Sequence, residues 1–353
     1  MINCALTMAH QMQEAVVHAG PRVEIIISPI PKPGSGQLLI KTYFAASNPK
    51  DWKRPTLAGQ TTMNQGDDVA GTVHGLGSNT QGFSLGDRVA ALHSPGALFG
   101  TYAEFCIVEA WAAWRVPDTM RMAEAATMPL ATMTAGVALW RELGAPWPWT
   151  PGPREPIVIY GASSAVGAFA VKLAKIAGLT PVIAIAGNGR EFVESLLNSE
   201  SGDRVVDYRD GEEATVEAIK AVLNGRSVRL ALDAISATSS EKVLGRVLNP
   251  ATDTAKIATV LPLNLADDVQ GIKRSFTMST LVFADMKQAG LNVNANRWLG
   301  ATMVKLIEMA VADGSLKGHP YEVVEGGLNG IETGLLRLQN GSSAVKFVYD
   351  LTG

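Results

Sequence analysis

Residues 157–167 read Ile157-Val158-Ile159-Tyr160-Gly161-Ala162-Ser163-Ser164-Ala165-Val166-Gly167, a short apolar strand running into a turn of small side chains and then into a helix. This text constrains the fold more than any other stretch, because the same alternation continues after it. Apolar strands at 182–186, 204–206, 230–233 and 256–260 are separated by helical segments such as 164–177 and 191–197. Nearly continuous apolar strands joined by helices imply a parallel sheet covered on both faces, a doubly wound α/β domain. The turn at 161–167 also has the geometry that phosphate oxygens need. Small residues let the backbone approach closely, and the first N–H groups of the following helix favour an anion. Aligned with G-x-G-x-x-G, however, residues 162–167 keep only Gly167, so the bare motif also fits a strand-helix turn in an unrelated α/β protein.

The end of the second strand narrows the choice. Enzymes that use NAD usually place an Asp or Glu there to accept hydrogen bonds from ribose hydroxyls. Here the text is Gly187-Asn188-Gly189-Arg190, with no acid. A guanidinium with a flanking amide suits a 2'-phosphate, which a carboxylate would repel. Tyr208, just after the third strand, offers a hydroxyl to the same group. The expected cofactor is therefore NADPH rather than NADH; Arg190 as a solvated residue at a helix start is the plainer alternative.

The first hundred residues have a different texture. Short runs rich in Val, Ile, Tyr and Phe at 23–27, 37–43 and 88–92 are punctuated by turn residues, which predicts a β-rich domain. An Ala-rich apolar segment from 122 to 143 predicts one buried helix. After it, Pro146, Pro148, Pro151 and Pro153 with Trp147 and Trp149 predict a non-helical connector pinned by its indoles. Helices are expected at 297–312 and 328–339, and a last strand at 344–350 suggests that the chain returns to complete the first domain. With 353 residues, two domains are the expectation. Thirty Lys and Arg against 33 Asp and Glu, with no run of like charge, argue against nucleic acid or an anionic membrane as partner. The absence of a leader-like or membrane-length apolar stretch, and only two cysteines, Cys4 and Cys106, point to the cytoplasm.

Several motifs recur in an order more specific than any one alone: Asn48-Pro49-Lys50-Asp51-Trp52-Lys53, Gly66-Asp67-Asp68-Val69-Ala70-Gly71, Gly86-Asp87-Arg88-Val89, Tyr102-Ala103-Glu104-Phe105, Ala125-Ala126-Thr127-Met128-Pro129 and residues 162–167. Together they resemble the zinc-independent, quinone oxidoreductase-like branch of the medium-chain dehydrogenase/reductase superfamily over almost the whole chain. Within it the sequence is most similar to the fungal-type trans-acting enoyl reductases, such as that of lovastatin biosynthesis, which also share the proline-rich insertion. The resemblance implies a GroES-like β-rich catalytic domain at 1–130 and 314–353, a Rossmann NADPH-binding domain at 131–313, and an active site in the cleft between them. One departure bears on the chemistry. Zinc alcohol dehydrogenases carry a His-Glu pair where this chain has Asp67-Asp68, and need cysteine ligands that Cys4 and Cys106 do not supply, so no metal is expected. Asp67 and Asp68 read better as structural acids than as a metal or acid/base pair.

The same resemblance implies hydride addition to a C=C bond conjugated to a carbonyl, in an enoyl thioester or enone. Lys53, where quinone oxidoreductases tend to have Tyr, is the catalytic candidate, donating to the developing enolate or holding the nicotinamide ribose. Lys50, Asp51, Trp52 and Lys53, Ser163, Ser164, Ala165 and Val166, Gly187, Asn188, Gly189 and Arg190, Tyr208, Leu261 and Pro262, and Val345 and Lys346 are expected to contact the cofactor. Pro129, Leu130, Thr132, Met133, Gly136, Phe283, Ala284 and Asp285 are expected to wall the substrate pocket, against a plainer reading of these apolar segments as core. His74 and His93 match no motif and read as ordinary residues. The partner is a free small molecule or an enoyl chain carried by a polyketide synthase, and the enzyme a monomer or homodimer. An NADPH quinone oxidoreductase and a non-catalytic NADPH-binding protein are the alternatives.

Overall fold

A computed structural model describes residues 11–57, 62–152, 154–248, 254–262, 271–283 and 293–353. It divides into two compact units, Met1–Leu130 with Thr280–Gly353, and Ala131–Ser279.

The first unit opens with an antiparallel pair, β1 (Gln11–Val17) and β2 (Val23–Pro29). The longest strand, β3 (Gln37–Ala46), is followed by helix α1 (Pro49–Lys53), then β4 (Asp68–Leu76), β5 (Arg88–Leu92), β6 (Phe105–Glu109) and β7 (Ala113–Arg115). β3 pairs with both β4 and β6, β4 with β5, and β5 with β7, all antiparallel. The core between them holds Leu38, Ile40, Val69, Val73, Val89 and Cys106, the inward residues of strands that alternate in the period-2 manner of a half-buried sheet.

The apolar segment at 122–143, expected as one helix, is three pieces: α2 (Met122–Ala126), α3 (Pro129–Gly136) and a π-helical turn, Val137–Leu143. Pro129 explains the first break. It has no N–H to continue a helix but a φ suited to beginning one. The connector that follows is pinned as expected: Trp147 stacks on Trp140 with centroids 4.6 Å apart and planes 1° apart, and Trp149 lies over Trp147 at 5.1 Å.

The second unit contains β8 (Ile157–Tyr160), α4 (Ala165–Ile176), β9 (Val182–Ala186), α5 (Arg190–Glu194), β10 (Arg204–Asp207), α6 (Glu212–Leu223), β11 (Leu230–Asp233), α7 (Thr238–Val247), β12 (Lys256–Thr259) and β13 (Lys273–Phe276). Its six strands are parallel, in the order β10-β9-β8-β11-β12-β13. This is the dinucleotide-fold order, which reverses direction between β8 and β11 and so opens a crevice at the carboxyl ends of those strands.

The chain then returns through α8 (Val293–Ala312), β14 (Tyr321–Val324), α9 (Ile331–Gln339) and β15 (Lys346–Asp350). β14 and β15 pair in parallel, and β15 adds antiparallel to β3, completing a seven-stranded sheet. The return begins at Thr280, earlier than the boundary at 314 read from the sequence. The reason lies in α8: at Gly300 a methyl group would come 2.7 Å from the Trp111 ring, and Glu308 accepts from the Arg115 N–H at 3.3 Å. Both partners belong to the first unit.

α9 docks on β15 where Gly334 meets Tyr349; a methyl group at Gly334 would lie 2.1 Å from the phenol oxygen. Gly334→Ala gains helix propensity of about 1 kcal/mol, yet the overlap is expected to dominate and lower stability by about 1–2 kcal/mol net. Chemical denaturation measures this, and Tyr349→Phe should recover part of the loss; a stabilised Gly334→Ala protein contradicts the packing.

Candidate active site

The expected site residues fall into two groups, one in each unit. In the second unit they gather at the carboxyl ends of the parallel strands. After β8 the backbone turns through Gly161, whose φ of +74° is a left-handed conformation that favours glycine. The chain then enters α4, capped by Ser164, whose Oγ accepts from the Gly167 N–H at 3.1 Å. A methyl group at Gly167 would come 2.2 Å from the Gly161 carbonyl oxygen. That contact explains why this one glycine of the expected fingerprint is kept: helix and strand cross too closely for any side chain. Ser163, Ser164, Ala165 and Val166 are all partly exposed on this turn.

After β9, Gly187 lies against the ring of Tyr208, where a methyl group would come 2.8 Å from a ring carbon. Parallel pairing of β10 with β9 sets Asp207 beside Ala186 and so brings Tyr208 to that loop. Tyr208 remains half-exposed, with Asn188 and Arg190 also facing solvent, while Gly189 is buried. Arg190 pairs with Glu194 one turn along α5, Nε to Oε1 2.7 Å. Leu261, exposed beyond β12, donates its N–H to Ser236 Oγ at 3.2 Å, and Pro262 beside it is exposed. Arg209 joins this corner although the sequence reading passed over it. Its guanidinium grips Asp207 and reaches Asn188 Oδ1 at 2.8 Å.

In the first unit the candidates cluster on a buried lattice of ions around α1. Asp51 is fully buried and accepts from the Asn48 N–H at 2.8 Å and from the Tyr102 hydroxyl at 2.6 Å. Lys50 reaches Asp51 Oδ1 at 2.9 Å, Asp67 Oδ2 and the Gln65 carbonyl. The Gln65 carbonyl is the hydrogen-bond acceptor of this ammonium, and the two carboxylates are its counter-charges. Asp67 also receives His93 Nδ1 at 3.0 Å, and His93 Nε2 faces the Leu98 carbonyl at 3.0 Å. Beside them Lys346, almost wholly buried, binds Asn48 Oδ1 at 2.8 Å and Asp68 Oδ2 at 2.5 Å, while Asp68 Oδ1 accepts from the Leu130 N–H at 2.6 Å.

Burial shapes the acid strengths in this lattice. It raises the Asp51 carboxyl by more than Lys50 pulls it down. For Asp67 the same burial is outweighed by Lys50 and His93, which hold it below the usual aspartate range. Burial would lower Lys50, but Asp51 and Asp67 together raise it. Tyr102 is pushed well above its ordinary value by burial and then by Asp51.

Lys50, Asp51 and Lys346, expected to touch a cofactor, have side chains bound to internal partners. Lys53, the last residue of α1, is different: its ammonium has no hydrogen bond or ion pair among the described residues and lies 5.4 Å from the centroid of Trp52. Val345 and Trp52 pack, half-buried, on the Tyr102–Tyr349 core. On α3, Pro129, Thr132, Met133 and Gly136 are buried and Leu130 is half-buried; Thr132 Oγ1 has no hydrogen-bond partner. Phe283 packs on Trp111 at 4.9 Å, while Ala284 and Asp285 lie outside the described residues. Among the described residues no three His, Cys, Asp or Glu side chains converge as metal ligands, and no helix is long and apolar enough to cross a membrane.

Residues 34–118 match the alcohol dehydrogenase GroES-like domain. Over 336 residues the chain is 41% identical to the trans-enoyl reductase fsr4 of Gibberella fujikuroi, covering 93% of this chain and 95% of that protein. The chain belongs to the trans-enoyl reductase family. Trans-enoyl reductase resD of Aspergillus sclerotiorum is 29% identical over 93% of this chain and 96% of its own length. Among solved structures, an alcohol dehydrogenase superfamily protein from Novosphingobium aromaticivorans shares the fold, with a TM-score of 0.79 at 20% identity, covering 96% of this chain and 99% of that one. The trans-enoyl reductase family thus places the chain in the medium-chain dehydrogenase/reductase superfamily.

In this trans-enoyl reductase family member, Asp67 and Asp68, expected in turn-stabilising or interdomain roles, are each paired with a lysine of the same unit, Lys50 and Lys346. His93 and Tyr102 were not legible as site residues, since their carboxylate partners lie 26 and 51 positions away in the chain. Asp67→Asn should lower stability at neutral pH by about 3–5 kcal/mol, because it leaves Lys50 short of a buried counter-charge. Since the Asp67 pKa is depressed in the folded state, its contribution is present above the unfolded aspartate value and fades as pH falls through the folded one. The gap between the two proteins in urea denaturation should therefore narrow in acid; a gap independent of pH contradicts the lattice.

Proposed function

We propose that the chain is an NADPH-dependent reductase of a C=C bond conjugated to a carbonyl, acting on an enoyl thioester that is free or carried by a polyketide synthase, or on an enone. The observation that carries this reading is the end-to-end likeness to curated trans-enoyl reductases, 41% identity in the first of them. The strand-end residues fit the cofactor. The tight turn from Gly161 into α4 suits a pyrophosphate at the helix start, and Gly187, Asn188 and Arg190, with Tyr208, offer a corner in which the loop after β9 carries no ribose-binding acid.

Bound NADPH supplies the hydride that the alkene accepts. The protein's share is to orient the acceptor and to hold the charge that develops on its carbonyl oxygen. Lys53 is suited to the second task because its ammonium has no hydrogen bond or ion pair among the described residues, whereas those of Lys50 and Lys346 are held by buried carboxylates. The same ammonium could hold the nicotinamide ribose. Thr132, whose buried hydroxyl has no hydrogen-bond partner among the described residues, is suited to donating to a ligand at α3. An unsatisfied buried hydroxyl costs roughly 1–3 kcal/mol, a penalty that a bound carbonyl would remove.

Three measurements test this reading. NADPH should raise the melting temperature more than NADH at equal concentration, since a ligand stabilises by mass action in proportion to its affinity. Equal shifts contradict the cofactor assignment. NADPH oxidation should be fast with a short enoyl thioester or an aromatic enone and slow with a quinone; the reverse order favours a quinone reductase, and no turnover with any favours a binding protein. Lys53→Ala should reduce kcat at least tenfold while changing NADPH affinity less, the signature of a group acting in the transition state. Unchanged kcat removes Lys53 from that role.

A further inference from the structure

The corner beyond β9 and β10 holds an acid after all. It is Asp207, the last residue of β10, and parallel pairing sets it beside Ala186 at the edge of the Gly187–Arg190 loop. A bare carboxylate there would repel a 2'-phosphate and welcome ribose hydroxyls. Arg209 covers it. The Arg209 Nε lies 2.9 Å from Asp207 Oδ1 and 3.1 Å from Oδ2, and its Nη2 lies 2.5 Å from Oδ2. Its Nη1 crosses to the neighbouring loop and donates to Asn188 Oδ1 at 2.8 Å.

A guanidinium carries five N–H groups. Asp207 engages Nε–H and one N–H of Nη2, and Asn188 engages one of Nη1, which leaves one on each terminal nitrogen. Because Asn188 accepts through Oδ1, its amide NH2 is also left to donate. Arg190 opens α5 two residues after Asn188, so it shares the loop that Arg209 reaches. Two like charges facing one corner are an arrangement that an anion relieves. The grip of Arg209 keeps the Asp207 carboxyl down at about 2, so the pair stays charged at any working pH.

We infer that Arg209 is a specificity-determining residue for the 2'-phosphate of the cofactor, oriented by Asp207 and Asn188, and that it also screens the Asp207 charge from that phosphate. This rests on the NADPH reading above. It assigns the discrimination to two arginines approaching from successive strand ends, Arg190 from β9 and Arg209 from β10, with Tyr208 between them.

The test is direct binding of NADPH and NADH, followed by tryptophan fluorescence, to the unsubstituted protein and to Arg209→Ala, Arg209→Lys and the double variant Arg209→Ala/Asp207→Asn. Arg209→Ala should lose about tenfold or more of the NADPH preference, as removal of one charge-assisted contact implies, while NADH affinity holds or rises because the uncovered Asp207 can accept from ribose hydroxyls. Arg209→Lys should keep part of the preference. The double variant should regain part of what Arg209→Ala loses, because the uncovered carboxylate is then gone, a recovery that a purely structural role would not give. The NADPH preference should also weaken with rising salt in the unsubstituted protein, and less so in Arg209→Ala. If Arg209→Ala keeps the full preference, or loses affinity for both cofactors equally, the assignment of Arg209 fails while the NADPH reading stands. If the unsubstituted protein binds both cofactors alike, the NADPH reading fails and this inference with it.

Discussion

The buried lattice of Lys50, Lys346, Asp51, Asp67 and Asp68 is the constraint on which the first unit depends. α1 is only five residues long and could not persist on propensity alone. It is held because Asp51 ties its start at Asn48 and bonds to Tyr102, while Lys50 bolts its second residue to Asp67. Asp68 and Lys346 then join β4 to β15, strands separated by most of the chain. Burying so many charges is costly, and each is tolerated because its neighbours satisfy it. What the lattice delivers is a short helix fixed in place with one ammonium, that of Lys53, left over at its end.

Charge in the second unit is handled in the opposite way. The residues at the strand ends are exposed, and their ionic contacts are few and local: Arg190 with Glu194, Arg209 with Asp207. Exposed pairs of this kind contribute little to stability. Their value lies in orientation, because a guanidinium held from one side presents its remaining donors on the other. The same residue types therefore do structural work in one unit and are suited to recognition in the other, and burial is the variable that separates the two uses.

Most of the architecture was legible in the sequence because periodicity and turn chemistry are local. β8, β9, β11 and the cap at Ser164 stand where apolar runs and small residues put them. The apolar segment at 122–143 was misread as one helix because composition was weighed above Pro129, whose missing N–H starts a new helix there. The residues at the carboxyl ends of β8, β9 and β10 could be named from spacing, since βα units put them at predictable positions. The ion lattice could not, because it is assembled from residues as far apart as Asn48 and Lys346. Lys50 and Lys53 look alike as text, and only the positions of Gln65, Asp67 and Asp51 show which of the two ammonium groups is consumed.

Asp67 and Asp68 have each taken a lysine from their own chain as counter-ion. Interlocking of this kind works as a ratchet on descent. Exchanging either acid for a neutral or basic residue strands a cation in the interior, and exchanging either lysine strands an anion, so no single step away from the present set is neutral. Lineages with this arrangement are channelled toward variation at exposed positions, such as Asn188 and Arg190 after β9, which can change without unlocking the middle.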